Sequence, residues 1–311
     1  MLRSMYSGIS GMKNFQTKLD VIGNNIANVN TFGFKKGRVN FKDMISQTVA
    51  GASSPSATLG GVNAKQVGLG STLAAIDTIH TQGSLQTTGR GLDLAISGDG
   101  FFVLAPNMVT DADGDGTIDD TVDLNGNGNL DFAELDKSFT RAGNFYLDQE
   151  GFLVNSDGLY LQGYAVIPGT GTDAEGNPNP DTIDNTRYTM MQIPSSAESY
   201  SISDKGEVQY VEDGQIKLAG QVIIAKFDNS EGLEKVGQNL FKASPNSGQA
   251  RDAAPKEDGA GSVVAGALEM SNVDLSEEFT EMIVAQRGFQ ANTRIITTSD
   301  EILQELVNLK R

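Results

Sequence analysis

Residues 275 to 309, LSEEFTEMIVAQRGFQANTRIITTSDEILQELVNL, contain no Pro and a single Gly, Gly288. Leu275, Phe279, Met282, Phe289, Ile296, Leu303, Leu306 and Leu309 recur there at intervals of three, four or seven, the signature of a helix with one apolar stripe. Asp274 stands in the capping position, with Glu277 three residues on. Glu277 and Glu278 suit the positive end of the helix dipole, and Lys310 and Arg311 suit the negative end. At 1.5 Å per residue such a helix is roughly 50 Å long, more than a compact domain covers. The stripe therefore wants a partner from elsewhere.

The other end of the chain offers one. Between Ser4 and Ile26, apolar residues fall at Met5, Ile9, Met12, Phe15, Leu19, Ile22 and Ile26, three or four apart and close to a heptad seam. Two arrangements bury both stripes: a two-helix hairpin within one chain, or termini that pair and then pack against copies of themselves. The second describes an assembly subunit. Its contact residues would be Met5, Ile9, Met12, Leu19 and Ile26 at one end, and Leu275, Phe279, Met282, Phe289, Ile296, Leu303 and Leu306 at the other.

What lies between is modular. A chain of 311 residues accommodates two or three modules. Residues 1–70 read as an N-terminal helix and an extended arm, residues 71–270 as a β-rich outer domain, and residues 271–311 as the C-terminal helix. The expected fold class is α+β: terminal helices paired as a coiled-coil inner domain, and an antiparallel all-β outer domain carrying an acidic calcium-type loop. The arm holds Lys35, Lys36, Arg38 and Lys42, the one basic cluster of the chain. It is either a solvated arm or a strap that pairs with acidic neighbours. From Ser71 onward, short β-prone runs are punctuated by GDG, DQEG, NSDG, DKG and EDG turns. Residues 168–187 form a surface loop rich in Gly, Pro and Asn.

Bulk charge narrows the partners. The net charge of -17 and a pI near 4.4 disfavour nucleic acid and anionic membrane surfaces. The absence of Cys rules out disulfides, zinc thiolate sites and thiol catalysis. No apolar run approaches the ~20 residues that span a bilayer. The first residues lack the apolar run and cleavage site of a secretory signal.

Over half of the excess charge sits in one insert. Residues 111 to 136 carry eight Asp, one Glu and no Lys or Arg, within an insert spanning 106–137. Asp123, Asn125, Asn127, Asn129, Asp131 and Glu134 occupy positions one, three, five, seven, nine and twelve of an EF-hand-type loop, with Gly128 at the turn. Hard oxygen donors at alternate positions suit calcium; the alternative is an acidic tip with no ion. A second, incomplete loop begins at Asp111, Asp113 and Asp115, and has Val122 where a closing Glu belongs.

Nothing converges on catalysis. His80 is the only histidine, and its neighbours Ile79 and Thr81 suit a strand edge or loop. Neither a nucleophile elbow nor a phosphate loop occurs, so no catalytic residue and no organic cofactor are expected.

Three stretches resemble one family. LDVIGNNIANVNTFGFKK at 19–36, GDGFFVL at 98–104 and SNVDLSEEFTEMIVAQRGFQANTRIITTSDEILQELVNLKR at 271–311 are similar to the terminal and central motifs of the bacterial flagellar rod and hook axial proteins. Within that family, MLRSMYSGISGMKNFQTKLDVIGNNIAN and the final ELVNLKR most resemble the short hook proteins of Gram-positive bacteria. The resemblance implies a coiled-coil inner domain lining an axial channel, with the β domain outside it. It implies helical self-assembly into a curved hollow tube, a universal joint that passes torque from motor to filament. It further implies flagellar type III export without a cleavable signal, an extracellular place in the hook and basal body, and neighbours in the distal rod, hook cap and hook-filament junction. The other readings are a distal rod protein, straight and rigid, and a calcium-dependent surface adhesin carried by the insert.

Overall fold

The computed structural model describes residues 2–55, 60–106, 137–167 and 182–309. The chain folds into two compact units. The first comprises residues 1–29, 35–79 and 273–311; the second comprises residues 30–34 and 80–272.

The first unit holds two long helices, α1 (Leu2–Ala27) and α2 (Leu275–Leu309). Asp274 caps α2: its Oδ1 accepts the N–H of Ser276 at 2.8 Å and that of Glu277 at 3.4 Å. At the other terminus of α1, the Asn28 amide donates to the Asn24 carbonyl at 2.9 Å and satisfies an orphan of the last turn. Four strands follow α1: β1 (Gly37–Asp43), β2 (Ser46–Ala50), β3 (Lys65–Gly68) and β4 (Ser71–Thr78). β1 and β4 pair antiparallel from Gly37↔Thr78 to Asp43↔Ser71, with a bulge at Asn40/Phe41. This ribbon packs on α1, where Phe41 meets the Phe15 ring at 6.4 Å and Ser71 accepts from Asn14 at 2.9 Å.

That pairing corrects the boundary read from sequence. Residues 71–79 carry the β pattern of the outer domain, but their partner strand is β1 and they belong with the terminal helices. Strand pattern shows that a segment pairs, not with what. β2 and β3 extend the ribbon as a second antiparallel pair, exposed on both faces.

The second unit is built on antiparallel sheet; thirteen strands form its main sheet among the described residues. Its first strands are β5 (Leu85–Thr87), β6 (Leu94–Ser97), β7 (Phe101–Ala105) and β8 (Ser138–Thr140). β7 lies at the centre, bonded to β8 and to the strands 160–167 and 224–226. Side chains alternate across it. Phe102 and Leu104 pack with Leu94, Ile96, Phe145 and Leu161, while Phe101 and Val103 pack with Phe139, Tyr164, Phe227 and Phe241. Both faces are buried, which is why the strand reads FFVL without alternation. Each of these side chains contributes about 1.5–3 kcal/mol on burial. The EDG turn joins strands 207–212 and 215–222; Asp213 and Gly214 both have positive φ, 51° and 72°, the backbone of a type I′ hairpin. β6 and β5 take the returning strands 262–265 and 267–269 as partners and lead the chain back to α2.

The fold is therefore α+β, two terminal helices with a large antiparallel sheet region. The acidic stretch with Asp111, Asp113, Asp115, Asp123, Asn125, Asn127, Asn129, Asp131 and Glu134 lies outside the described residues, as do residues 168–181. The expected loop 168–187 is too long at its end: residues 182–187 belong to the strand Thr182–Met190, which pairs antiparallel with the strand 160–167.

Candidate assembly site: the paired terminal helices

α1 and α2 run antiparallel. Gly8 lies against Ile296, Gly11 against Asn292, Phe15 against Gly288, Lys18 against Glu281 and Asn25 against Glu278. On α2 the covered positions are Glu278, Met282, Ala285, Phe289, Asn292, Ile296, Ser299 and Leu303, with Gly288 beside Phe289. Their spacing alternates strictly between four and three, a heptad seam.

The α1 side is less apolar than its stripe suggests. Among the residues that meet α2 are Gly8, Gly11, Met12, Phe15, Lys18 and Asn25. Two glycines open holes for Ile296 and Asn292. Gly288 returns the favour for Phe15: a Cβ there would stand 2.6 Å from the ring. The two helices interlock by shape as much as by apolar area.

The residues expected to mediate assembly divide accordingly. Met282, Phe289, Ile296 and Leu303 line the seam. Met5, Ile9, Met12, Leu19 and Ile26 are half-buried and lie beside it. Leu275, Phe279 and Leu306 are exposed, joined by Ile283, Val284, Ile295, Ile302, Val307 and Leu309. At ~100° per residue, Leu275, Phe279 and Ile283 fall on one flank of the seam, and Val284, Ile295, Ile302, Leu306 and Leu309 on the other. On β2, β3 and the turn before them, Ile45, Val49 and Val67 are also exposed. One chain thus satisfies one seam and leaves apolar rows on both sides of it.

Polar residues close the seam at the end of α1. Asn25 is 1% exposed and Glu278 5%. The Asn25 amide donates to Glu278 Oε2 at 3.2 Å and to the Gly37 carbonyl at 2.9 Å, and its Oδ1 accepts the Gly37 N–H at 3.0 Å. Burial pushes the Glu278 carboxyl above its ordinary value, against the opposing effects of the Asn25 bond and the Lys36 charge. Around it, Lys36 pairs with Glu277 at 2.8 Å, Lys18 with Glu281 at 3.0 Å and Arg38 with Asp77 at 3.6 Å. Part of the basic cluster is therefore a strap onto acidic neighbours.

Sequence reasoning missed Gly8, Gly11, Gly288, Ala285, Asn25 and Glu278 as seam residues. It scored apolar side chains, and a hole or a buried polar group has none. The signal that could have found them is the strict four-three spacing through Glu278, Ala285, Asn292 and Ser299.

His80 sits edge-on to Phe101 and Phe241, ring centroids 5.5 and 5.4 Å away, as a packed aromatic. Among the described residues no cluster of three His, Asp or Glu is placed to hold a metal, and no helix is long and apolar enough to cross a membrane.

Comparison with known proteins identifies three family regions. Residues 5–35 match the flagella basal body rod protein model, residues 123–210 the flagellar hook protein FlgE/F/G D1 domain, and residues 264–309 the flagellar basal body rod FlgEFG protein C-terminal model. The chain is 54% identical to the flagellar basal-body rod protein FlgG of Bacillus subtilis over 313 aligned positions, covering all of both chains. It is 36% identical to FlgG of Borreliella burgdorferi over 314 positions and 34% identical to the flagellar hook protein FlgE of the same organism over 441, again covering all of each.

Proposed function

This chain belongs to the family of flagellar rod and hook axial proteins, and from that membership we propose that it is a self-assembling subunit of the distal rod. Like its relatives it is a structural protein and not an enzyme. The observation that carries the rod reading is the 54% identity to a rod protein along the entire chain. The geometry supports self-assembly: the helix pair that closes one seam presents uncovered apolar rows for neighbouring copies. The contacts repeat from copy to copy without closing, as in a helical filament.

The hook reading drawn from the terminal motifs takes second place. It is favoured by the full-length alignment to hook proteins, but at 34% identity and only with long gaps. Polymer shape separates the two. Concentrated protein examined by electron microscopy is expected to form straight, rigid tubes; curved tubes would assign it to the hook, and no polymer at all would sink both. Export through the flagellar type III apparatus belongs to the same proposal, while contacts with the hook cap and junction proteins belong to the hook reading.

Calcium is a separate element of this reading. The ligand spacing from Asp123 to Glu134 supports a site of extracellular type, with affinity of about 0.1–1 mM. Without a cation its carboxylates repel one another; calcium offsets that and closes the loop, and magnesium does so poorly because it dehydrates reluctantly. Millimolar calcium is expected to release or absorb heat on titration and to raise the melting temperature, and Glu134→Gln to abolish both. Absence of either signal in the parent chain means an acidic tip only.

A further inference from the structure

We propose that Asn25 and Glu278 are the register key of the terminal helix pair, selecting one alignment of α2 on α1 and tying it to the arm. A heptad seam by itself tolerates slippage, since each seven-residue slide restores apolar contact. Most polar seam residues here do not discriminate between registers. Asn292 donates to the Gly288 carbonyl of its own helix at 3.0 Å, and Ser299 to Ile295 of its own helix at 2.7 Å. Both stay satisfied wherever α2 slides. Lys18–Glu281 is a partly exposed rim pair and is worth little.

Asn25 and Glu278 differ in both respects. They are buried, and their bonds run from helix to helix and from helix to Gly37. A slide of one heptad sets Asn25 against Ala285, or against Ser271, which precedes α2. In either case the amide that reaches Glu278 loses its acceptor while still holding Gly37. A buried polar pair of this kind costs stability relative to an apolar one, and its best-attested use is to fix register. Because Gly37 opens β1, the same amide makes correct α2 docking depend on a seated arm. The inference concerns one chain and stands whichever axial polymer that chain builds.

The natural chain has no Cys, so engineered pairs report register directly. Thr293 touches Met12 at 3.7 Å, so Met12→Cys with Thr293→Cys marks the native register. Met12→Cys with Gln286→Cys, or with Asp300→Cys, marks the two one-heptad slides. In the full-length parent, mild oxidation is expected to cross-link only the native pair within one chain. Glu278→Gln, which keeps an acceptor for Asn25, should preserve that pattern. Asn25→Leu with Glu278→Leu should keep the helices paired but pass about half of the cross-linking to the slid pairs, because the seam becomes uniformly apolar. Glu278→Leu alone leaves the Asn25–Gly37 bonds intact and should shift the pattern in the same direction. Native-only cross-linking in both leucine variants would show that the Phe15–Gly288 fit suffices and would overturn the proposal. Equal yields at all three pairs in the parent would overturn it as well.

Discussion

Arg141→Met is expected to destabilise the β-rich unit by about 3–5 kcal/mol, the cost of removing one member of a buried, hydrogen-bonded charge pair. Arg141 is 3% exposed and Glu269 is fully buried. Arg141 Nη1 donates to Glu269 Oε2 at 3.2 Å and Nη2 to the Gly98 carbonyl at 2.8 Å, while the guanidinium lies 5.3 Å from the centre of the Phe101 ring. Glu269 Oε1 accepts the Gly83 N–H at 2.9 Å, and its backbone carbonyl accepts the N–H of Gly33 at 2.8 Å. The pair therefore gathers four separate stretches of chain onto the strand Ala267–Glu269. Gly33 shows how tight the packing is. Its φ is +69°, and a Cβ would stand 2.5 Å from the Ala142 nitrogen.

Removing Arg141 takes from the buried Glu269 carboxylate the charge-assisted bond that it accepts from the guanidinium. Arg141→Met with Glu269→Leu removes both charges and is expected to cost less than the single change, because the buried carboxylate that Arg141 bonds is removed with it. Urea unfolding followed by circular dichroism measures both variants. A loss under about 1 kcal/mol for the single change, or a larger loss for the double, would mean the pair is incidental.

Much of this was legible from the sequence where one residue's role depends on near neighbours. α2, its Asp274 cap and the strand Phe101–Ala105 follow from local period and composition. The EDG turn follows from a backbone that only a few residue types adopt readily. Legibility ends where a role depends on distant partners. Glu278 looks like an acid placed for the helix dipole, and becomes a seam residue only because Asn25, 253 positions away, reaches it. Gly8 and Gly11 look like helix weakeners until Ile296 and Asn292 fill the space they leave. Residues 71–79 look like any outer strand until β1 is there to pair with them. The exposed apolar rows follow the same logic one level up, since nothing within a single chain covers them.

Those rows and the seam make different demands, and substitutions should separate them. Phe289→Asp or Leu303→Asp places a charge in the seam, where desolvation costs several kcal/mol per ion. Helix pairing and polymerisation are both expected to fail. Leu306→Asp or Phe279→Asp places the charge on a surface that one chain leaves exposed. Helix pairing should then survive while polymers are lost, because the cost arises only when a neighbouring copy covers the site. Gln304→Asp, on an exposed polar position, should leave both intact. Deleting residues 275–311 removes both surfaces and should abolish assembly, with the β-rich unit still folded because its core is its own. Helix pairing is read from the Met12→Cys with Thr293→Cys cross-link and assembly from sedimentation. If Leu306→Asp polymerises as the parent does, the exposed rows are not contacts between copies, and if Gln304→Asp fails as completely as Phe289→Asp, the α2 register is wrong.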